Sequence, residues 1–419
     1  MLYSLTRFTR HARLAWLTAL LLGTATPALA QPAAQPVAEP AAEPDIELEP
    51  GGYAHADFRG FVGDEGDTYD STFLLRRVRP SLRGKAFKYY GFRFLADVAG
   101  GTLQVLDVHV DIAHFPEATL RIGKTKSPVG LERLQSATAL TFIERAFPTL
   151  LAPNRDIGVQ LVGDIEKGLV NYAVGVFNGA SDGASLEQND EGNFEVVGRV
   201  FAHPLATTGN PYLRGLGLGV SGTIGTREGS AAAPGVSSYR TSGGARFFQY
   251  VPSSAAAPGV IADGRQARFS AQGYYYGGPV GLLGEYVLSE QTLSLGAVNE
   301  RVANQAWQVA GSFALTGEAA SYKGLAPAAP FDPGAGQWGA LELAARYTAL
   351  SIDGDTFDLG LADPGSNASK AQAWALGVNW YPSEHIKLLL DFEQTRFGFD
   401  GDGDRPTENL VLVRTQLSI

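Results

Sequence analysis

The sequence predicts an all-β chain: a transmembrane antiparallel β-barrel of about sixteen strands, with one loop folded inward. Three observations predict it. Apolar and polar residues alternate with a period of two in many separate segments, the mark of a sheet with two unlike faces. Most of these segments are near the ten residues that a tilted strand needs to cross a bilayer. Gly (51) is abundant beside Tyr (16) and Phe (22), a mix that suits many turns and many aromatic, half-buried strands.

The elements follow in chain order. Residues 1–30 read as a signal peptide, with Arg7, Arg10 and Arg13 as a positive n-region, "LAWLTALLLG" as an apolar run, and "ALA" ending at Ala30 as a cleavage site. The apolar run is too short to serve as a membrane anchor. Residues 31–50, "QPAAQPVAEPAAEPDIELEP", are a Pro/Ala/Glu spacer that cannot bury enough apolar area to fold by itself. Residues 51–419 are the barrel.

Sixteen strand segments are expected within it: 53–63, 71–83, 86–98, 103–113, 118–126, 156–165, 168–178, 193–203, 213–225, 264–277, 279–291, 303–316, 338–351, 370–381, 384–397 and 408–419. In "LQVLDVHVDI", Leu106, Val108, Val110 and Ile112 fall on one face, and Asp107, His109 and Asp111 on the other. In "QAWQVAGSFAL", Trp307, Val309, Phe313 and Leu315 oppose Gln308 and Ser312. An even strand count returns both termini to one side. The connections alternate between tight ("HFPE", "EKG", "GGP", "YPSE") and long (127–155, 179–192, 226–263, 352–369), as in bacterial outer-membrane barrels. The connection 317–337 is long although it falls on the tight side. Aromatic residues collect at segment ends, at Tyr274–Tyr276, Trp380–Tyr381 and Phe397–Phe399, where membrane girdles sit. A soluble sandwich also alternates, but it gives no reason for such girdles; a β-helix would show a short fixed repeat, and none is visible.

Composition narrows the function. The net charge is −10 and falls to −13 once the three arginines of the leader are removed, which excludes nucleic acid as a partner of the whole surface. There is no Cys, so an exported chain holds together without disulfides. His109, beside Asp107 and Asp111, is the best-placed of six histidines for a base or ligand. No activated nucleophile, second metal-ligand spacing or Gly-rich phosphate loop accompanies it, so neither an enzyme nor a bound metal or cofactor is expected.

One stretch runs against the acidic background. "FLLRRVRPSLRGK", Phe73 to Lys85, holds five basic residues. Arg at mid-membrane facing lipid costs about 2–4 kcal/mol, so basic residues on spanning strands must face the bore. Arg77, Arg79, Ser81 and Arg83 share that parity, with Leu74, Val78 and Leu82 outward. Arg76 has the wrong parity and needs a rim position or a bulge. Arg93 and Asp97 face inward on the next strand. Between Ser71 and Arg145, twelve Lys or Arg stand against six acids, a local excess of +6. Inside a channel such an excess concentrates anions. The connection 127–155, "SPVGLERLQSATALTFIERAFPTLLAPNRD" from Ser127 on, is too apolar for an exposed loop. It should fold against the inner wall as the constriction, carrying Arg133 and Arg145. The other reading of the basic strip is a general-diffusion or structural barrel in which it only shapes the field.

Together "FLLRRVRPSLRGKAFKYYGFRFLAD", "LRIGKTKSPVGLERLQSATALTFIERAF", "VNYAVGVFNGASDG", "VVGRVFAHPL", "FALTGEAASYKG", "LELAARYTALSIDGD" and "ALGVNWYPSEHIKL" resemble the phosphate-selective porin O/P family. The resemblance implies an outer-membrane homotrimer of sixteen-stranded barrels in a Gram-negative bacterium. Each barrel would pass small anions such as inorganic phosphate or pyrophosphate at a constriction site. By motif, the family's paired arginines match Arg76 and Arg77, its acidic residue on the fourth strand matches Asp107, and its lysine after "GLE" matches Arg133. Two family tyrosines match Arg79 and Lys126, which makes this constriction more basic. Where the family runs an arginine ladder, 226–263 has only Arg227, Arg240 and Arg246, which implies looser phosphate selectivity.

Overall fold

The computed structural model describes residues 46–63, 69–115, 117–189 and 191–419. The expected leader and most of the spacer lie outside these residues. The last residues of the spacer do not stay unpaired, since the first strand already begins at Ile46, opposite Ala86.

In chain order the strands are β1 (Ile46–Val62), β2 (Thr72–Ala86), β3 (Tyr90–Asp97), β4 (Gln104–Phe115), β5 (Ala118–Lys126), β6 (Arg155–Ile165), β7 (Val170–Phe177), β8 (Glu195–Ala202), β9 (Leu216–Glu228), β10 (Tyr239–Arg240), β11 (Arg246–Phe248), β12 (Ile261–Gly277), β13 (Val280–Leu295), β14 (Val298–Ala314), β15 (Ala340–Ser351), β16 (Lys370–Tyr381), β17 (Ile386–Gly398) and β18 (Glu408–Ser418). Sixteen of them close into one antiparallel barrel. Neighbours in the wall are neighbours in sequence, except that β9 pairs with β12 while β10 and β11 form a separate hairpin. The ring closes where β1 meets β18, from Tyr53 opposite Ser418 to Val62 opposite Asn409. Closure leaves no unpaired backbone edge around the wall, which a membrane requires because lipid offers no hydrogen-bond partner.

The two faces separate as the alternation predicts. On β4, Val108 and Val110 are exposed on the outside, while Asp107 and His109 are buried inside. Bulges interrupt the parity at several points among the described residues, two of them beside the basic strip. His55 pairs with Arg77 and Ala56 with Leu75, so Arg76 is an extra residue on β2, and the bulge turns it inward beside Arg77. The same bulge corrects the assignment of Leu74: below it Phe73 and Leu75 take the outer face, and Leu74 takes the inner parity. Leu106 is a second extra residue, between the Asp107 and Val105 pairings with β3, and it is buried rather than facing lipid.

One connection and three of the girdle aromatics differ from expectation. The outward link between β13 and β14 shrinks to two residues, with Gly296 at φ 60°, a left-handed position that a residue without Cβ takes without strain. Of the expected girdle aromatics, Tyr381 is buried, Phe397 packs against an apolar cluster within the loops, and Tyr274 stacks on Tyr322. These three rings serve the interior rather than the interface.

The loop 127–154 after β5 carries no strand, only the short turn Phe147–Leu150, and is almost wholly buried. A buried loop must find partners for its backbone polar groups, and the opposite wall supplies them. Carboxylates accept its N–H groups: Glu285 from Leu131 at 2.6 Å, and Asp391 from Ile143 at 2.6 Å. Cations donate to its carbonyls: Lys387 to Leu140 at 2.7 Å, Arg414 to Ile143 at 2.6 Å, and Arg346 to Glu144 at 2.8 Å. These residues come from β13, β15, β17 and β18, so the loop crosses the bore from β5 and lies on the far wall.

The β10–β11 hairpin also enters the bore. Tyr239, Phe247, Phe248 and Tyr250 join Phe147 and Leu151 of the crossing loop and the inward side chains Val287, Leu293, Val302 and Leu350 in one apolar cluster. That arc of the lumen is packed, whereas the alternation by itself predicted a water-filled bore throughout.

Candidate functional site

The site is built where the crossing loop meets β1, β2, β5, β6 and β18. The bulge puts Arg76 and Arg77 side by side, and both reach Glu144 of the loop. Arg76 Nε donates to Glu144 Oε1 at 2.6 Å and its Nη2 to Oε2 at 3.2 Å, while Arg77 Nη2 lies 3.5 Å from Oε2. Arg59 of β1 and Arg414 of β18 approach the same carboxylate at 3.6 and 3.4 Å. Arg414 is itself held by Asp57 through two bonds of 2.7 and 2.6 Å. Burial by itself would raise the Glu144 carboxyl, but the guanidinium groups of Arg76, Arg77 and Arg414 outweigh it and hold the carboxyl well below the usual range.

Below this cluster the strip is neutralised pair by pair. Arg79 Nε bonds Asp97 at 2.7 Å and its Nη1 bonds the Tyr53 hydroxyl at 2.8 Å. Arg83 meets Glu49 at 2.5 Å, Arg121 makes two bonds to Asp111, and Lys124 reaches Glu187. Asp107 accepts from Arg155 Nε at 2.8 Å and lies 3.3 Å from Arg93. The local excess of +6 is therefore not spread along β2.

Three further cations of the region end on carbonyl oxygens instead of carboxylates. Lys126 donates to the carbonyls of Leu134 and Gln135 at 3.2 and 2.9 Å. Arg145 donates to those of Glu132 and Gln135 at 3.0 and 2.9 Å. The Gln135 carbonyl thus brings Lys126 and Arg145 together, and Arg155 sits opposite Lys126 in the β5–β6 register. Arg133 donates to the carbonyl of Thr149. Burial, then the charges of Arg145 and Arg155, lower Arg133 to about 9, so it stays charged at neutral pH.

Of the residues expected from sequence, the β2 bulge sets Arg76 and Arg77 side by side under the loop's Glu144, Arg79 lies one tier below them, and the β5–β6 register and an ion pair set Lys126 and Asp107 near Arg155. Arg76, Arg79, Lys126 and Arg145 keep partial exposure, whereas Arg77, Asp107, Arg133 and Arg155 are buried. Arg133 braces the loop's own carbonyls and presents no free face to a solute. Sequence reasoning missed Glu144, Arg155 and Arg414. The inward parity of Arg414 on the last strand was legible; that it would meet a loop residue 270 positions away was not. Among the described residues no group of acids and histidines is placed to hold a metal ion.

A closed sixteen-stranded barrel whose bore is narrowed by an inward loop and lined by paired and unpaired cations is a porin. The profile of the family described as phosphate-selective porin O and P matches residues 49–418, and the chain belongs to that family. It is 25% identical over 398 residues to Porin O of Pseudomonas aeruginosa, covering 86% of each chain. Among solved structures it superposes on the outer membrane channel DcaP of Acinetobacter baumannii with a TM-score of 0.57 at 13% identity, covering 91% of this chain and 99% of that one. It superposes on an anion-selective porin from Comamonas acidovorans at 0.55 and 12% identity, covering 90% and 100%. At such identities these structures speak for the fold alone. Family and fold together indicate a channel of the Gram-negative outer membrane.

Proposed function

We propose that the barrel passively conducts small anions, with phosphate or pyrophosphate as the preferred class, past a contact zone formed by Arg76, Arg79, Lys126 and Arg145. One observation carries this reading. Lys126 and Arg145 converge on one carbonyl with no carboxylate within ion-pair distance among the described residues, so their charge remains available to a solute. A multi-oxygen anion takes over those carbonyl bonds and adds charge to them, which a neutral solute cannot do. Asp107, Arg77 and Arg133 act from behind, setting the position of Arg155, the β2 bulge and the loop.

The wild-type protein in planar bilayers is expected to show an anion-selective reversal potential, and inorganic phosphate is expected to reduce the chloride current. The second reading, a general-diffusion barrel, is favoured by the pairing of Arg79, Arg83 and Arg121 with carboxylates. Cation selectivity, or a chloride current indifferent to phosphate, would decide for it. We also infer that three copies associate through the arc of the wall that holds its shortest strands. β3, β7 and β8 have eight residues each, which at a barrel tilt rise roughly 20 Å, short of the ~25 Å apolar band. Such strands suit a partner copy better than lipid.

A further inference from the structure

The loop places a carboxylate where a cargo anion would be expected. Four arginines from three strands, Arg59, Arg76, Arg77 and Arg414, converge on Glu144, and Arg76 grips it with two bonds, the geometry in which guanidinium also grips phosphate. The side chain of Glu144 is not the loop's sole tie at this point. Backbone groups hold the loop too: the Ile143 N–H on Asp391, the Ile143 carbonyl under Arg414, and the carbonyl of Glu144 itself under Arg346.

The fit is also incomplete. With two oxygens, the carboxylate leaves Arg59 Nε buried without a partner, although buried donors ordinarily have one. A tetrahedral oxyanion, with more acceptor directions, would satisfy such a cage better than a carboxylate does. Arg76 remains about one-third exposed, so the cage stays open to the bore.

We propose that Glu144 is a tethered anion: its side chain occupies an arginine cage built for a free phosphate-class oxyanion, and so limits how tightly the channel holds its cargo. The cage would otherwise be a trap. Four arginines against Glu144 and Asp57 leave a charge of +2, and removing the Glu144 charge raises it to +3 around a neutral side chain that an anion can push aside. A deep trap slows exit, and conduction needs binding weak enough to release. The inference rests on the anion-conducting reading but goes beyond it, because it names the loop residue that fills the paired-arginine end of the contact zone and so sets how firmly that end can hold an anion.

The test is block of single-channel chloride current by inorganic phosphate in planar bilayers, with pore size checked by exclusion of neutral polyethylene glycols. Glu144→Gln is expected to lower the half-blocking phosphate concentration about tenfold or more, a gain of about 1.4 kcal/mol, with no change in the excluded polymer size. Glu144→Asp keeps the charge but draws it back from β2, and is expected to fall between the wild type and Glu144→Gln. It also serves as the reporter if the glutamine variant fails to assemble. Unchanged block in the assembled variants overturns the proposal. So does a widened pore without stronger block, which would make Glu144 a latch only. Lys126→Gln separates this from the main reading. That variant should weaken block in the wild type, whereas Lys126→Gln with Glu144→Gln should still show the new strong block. Loss of the first effect counts against the contact zone alone, and loss of the second against the cage.

Discussion

Two arcs of one wall face the bore and are filled by opposite means. From β1 to β6 the inward positions carry Arg76, Arg77, Arg79, Asp107, Lys126 and Arg155, and their charges are matched by other charges or by carbonyls. From β13 to β15 the inward positions near the outer end carry Val287, Leu293, Val302 and Leu350, covered by aromatic side chains of the β10–β11 hairpin. The first arc is satisfied by polar bonds that a passing ion can borrow. The second is satisfied by apolar packing, which no ion can replace. On the proposed anion-conducting reading, the path runs along the polar side of a barrel whose strands look alike in sequence, and the crossing loop lies between the two arcs.

The largest expected effect comes from reversing the charge of the polar arc. Replacing both Lys126 and Arg145 with Glu puts two negative charges where two positive ones converge, and the reversal potential in a salt gradient should change sign from anion- to cation-selective. A sign that stays put would mean that selectivity is set elsewhere in the wall.

Next in size is the boundary itself. Arg414→Ala removes the partner of Asp57 and the donor to the Ile143 carbonyl. Breaking a buried pair on one side costs about 3–5 kcal/mol. The expected result is lower resistance to denaturant, read by the loss of heat-modifiable mobility on gels, together with larger and noisier conductance as the loop loosens. Unaltered conductance would show that the remaining anchors suffice.

The apolar arc should answer differently. Phe248, fully buried between Tyr239 and Tyr250, when cut to Ala should cost about 3–5 kcal/mol of packing. The hairpin should then become open to external protease while the reversal potential stays as it was. A shift in selectivity would erase the distinction between the arcs.

The smallest effect concerns pH. The carboxyl of Glu144 lies well below its ordinary range, so its ion pairs stabilise the folded loop at and above the ordinary carboxylate value and are lost only as pH falls through the depressed one. The groups facing it are Arg59 and Asp57 from β1, Arg76 and Arg77 from β2, Arg414 from β18, and the adjoining Arg145. The difference in phosphate block between wild type and Glu144→Gln should therefore persist down to about pH 5. Its disappearance between about pH 7 and 5 would mean that the arginines hold Glu144 less firmly than the contacts imply.

Much of this architecture is legible in the sequence. All sixteen expected segments are wall strands, because alternation is imposed locally by the pleat and by lipid on one side. The misfit of Arg76 called for a rim position or a bulge, since a charged side chain cannot follow strict parity into lipid, and the register shift on β2 is the bulge. The apolar character of 127–155 announced a loop that folds inward. The aromatic runs misled: Tyr274, Tyr381 and Phe397 look like girdle residues, but in this fold they meet Tyr322, the carboxylate of Glu342 and the hairpin's Phe247. Their direction depends on partners far away in sequence.

The sequence by itself thus determined the barrel, its faces, and the presence of a basic zone under an inward loop, each of which follows from short-range periodicity and from the cost of placing charge in lipid. Only the tertiary structure decided which charges meet. Arg414 and Glu144 are 270 residues apart, and Asp57 and Arg414 357; a pairing of that kind depends on ring closure and on the loop's path across the bore. The choice between a charge that binds a solute and one that is already occupied is made at that distance, because electrostatic partnership depends on separation in space and local pattern carries no record of it.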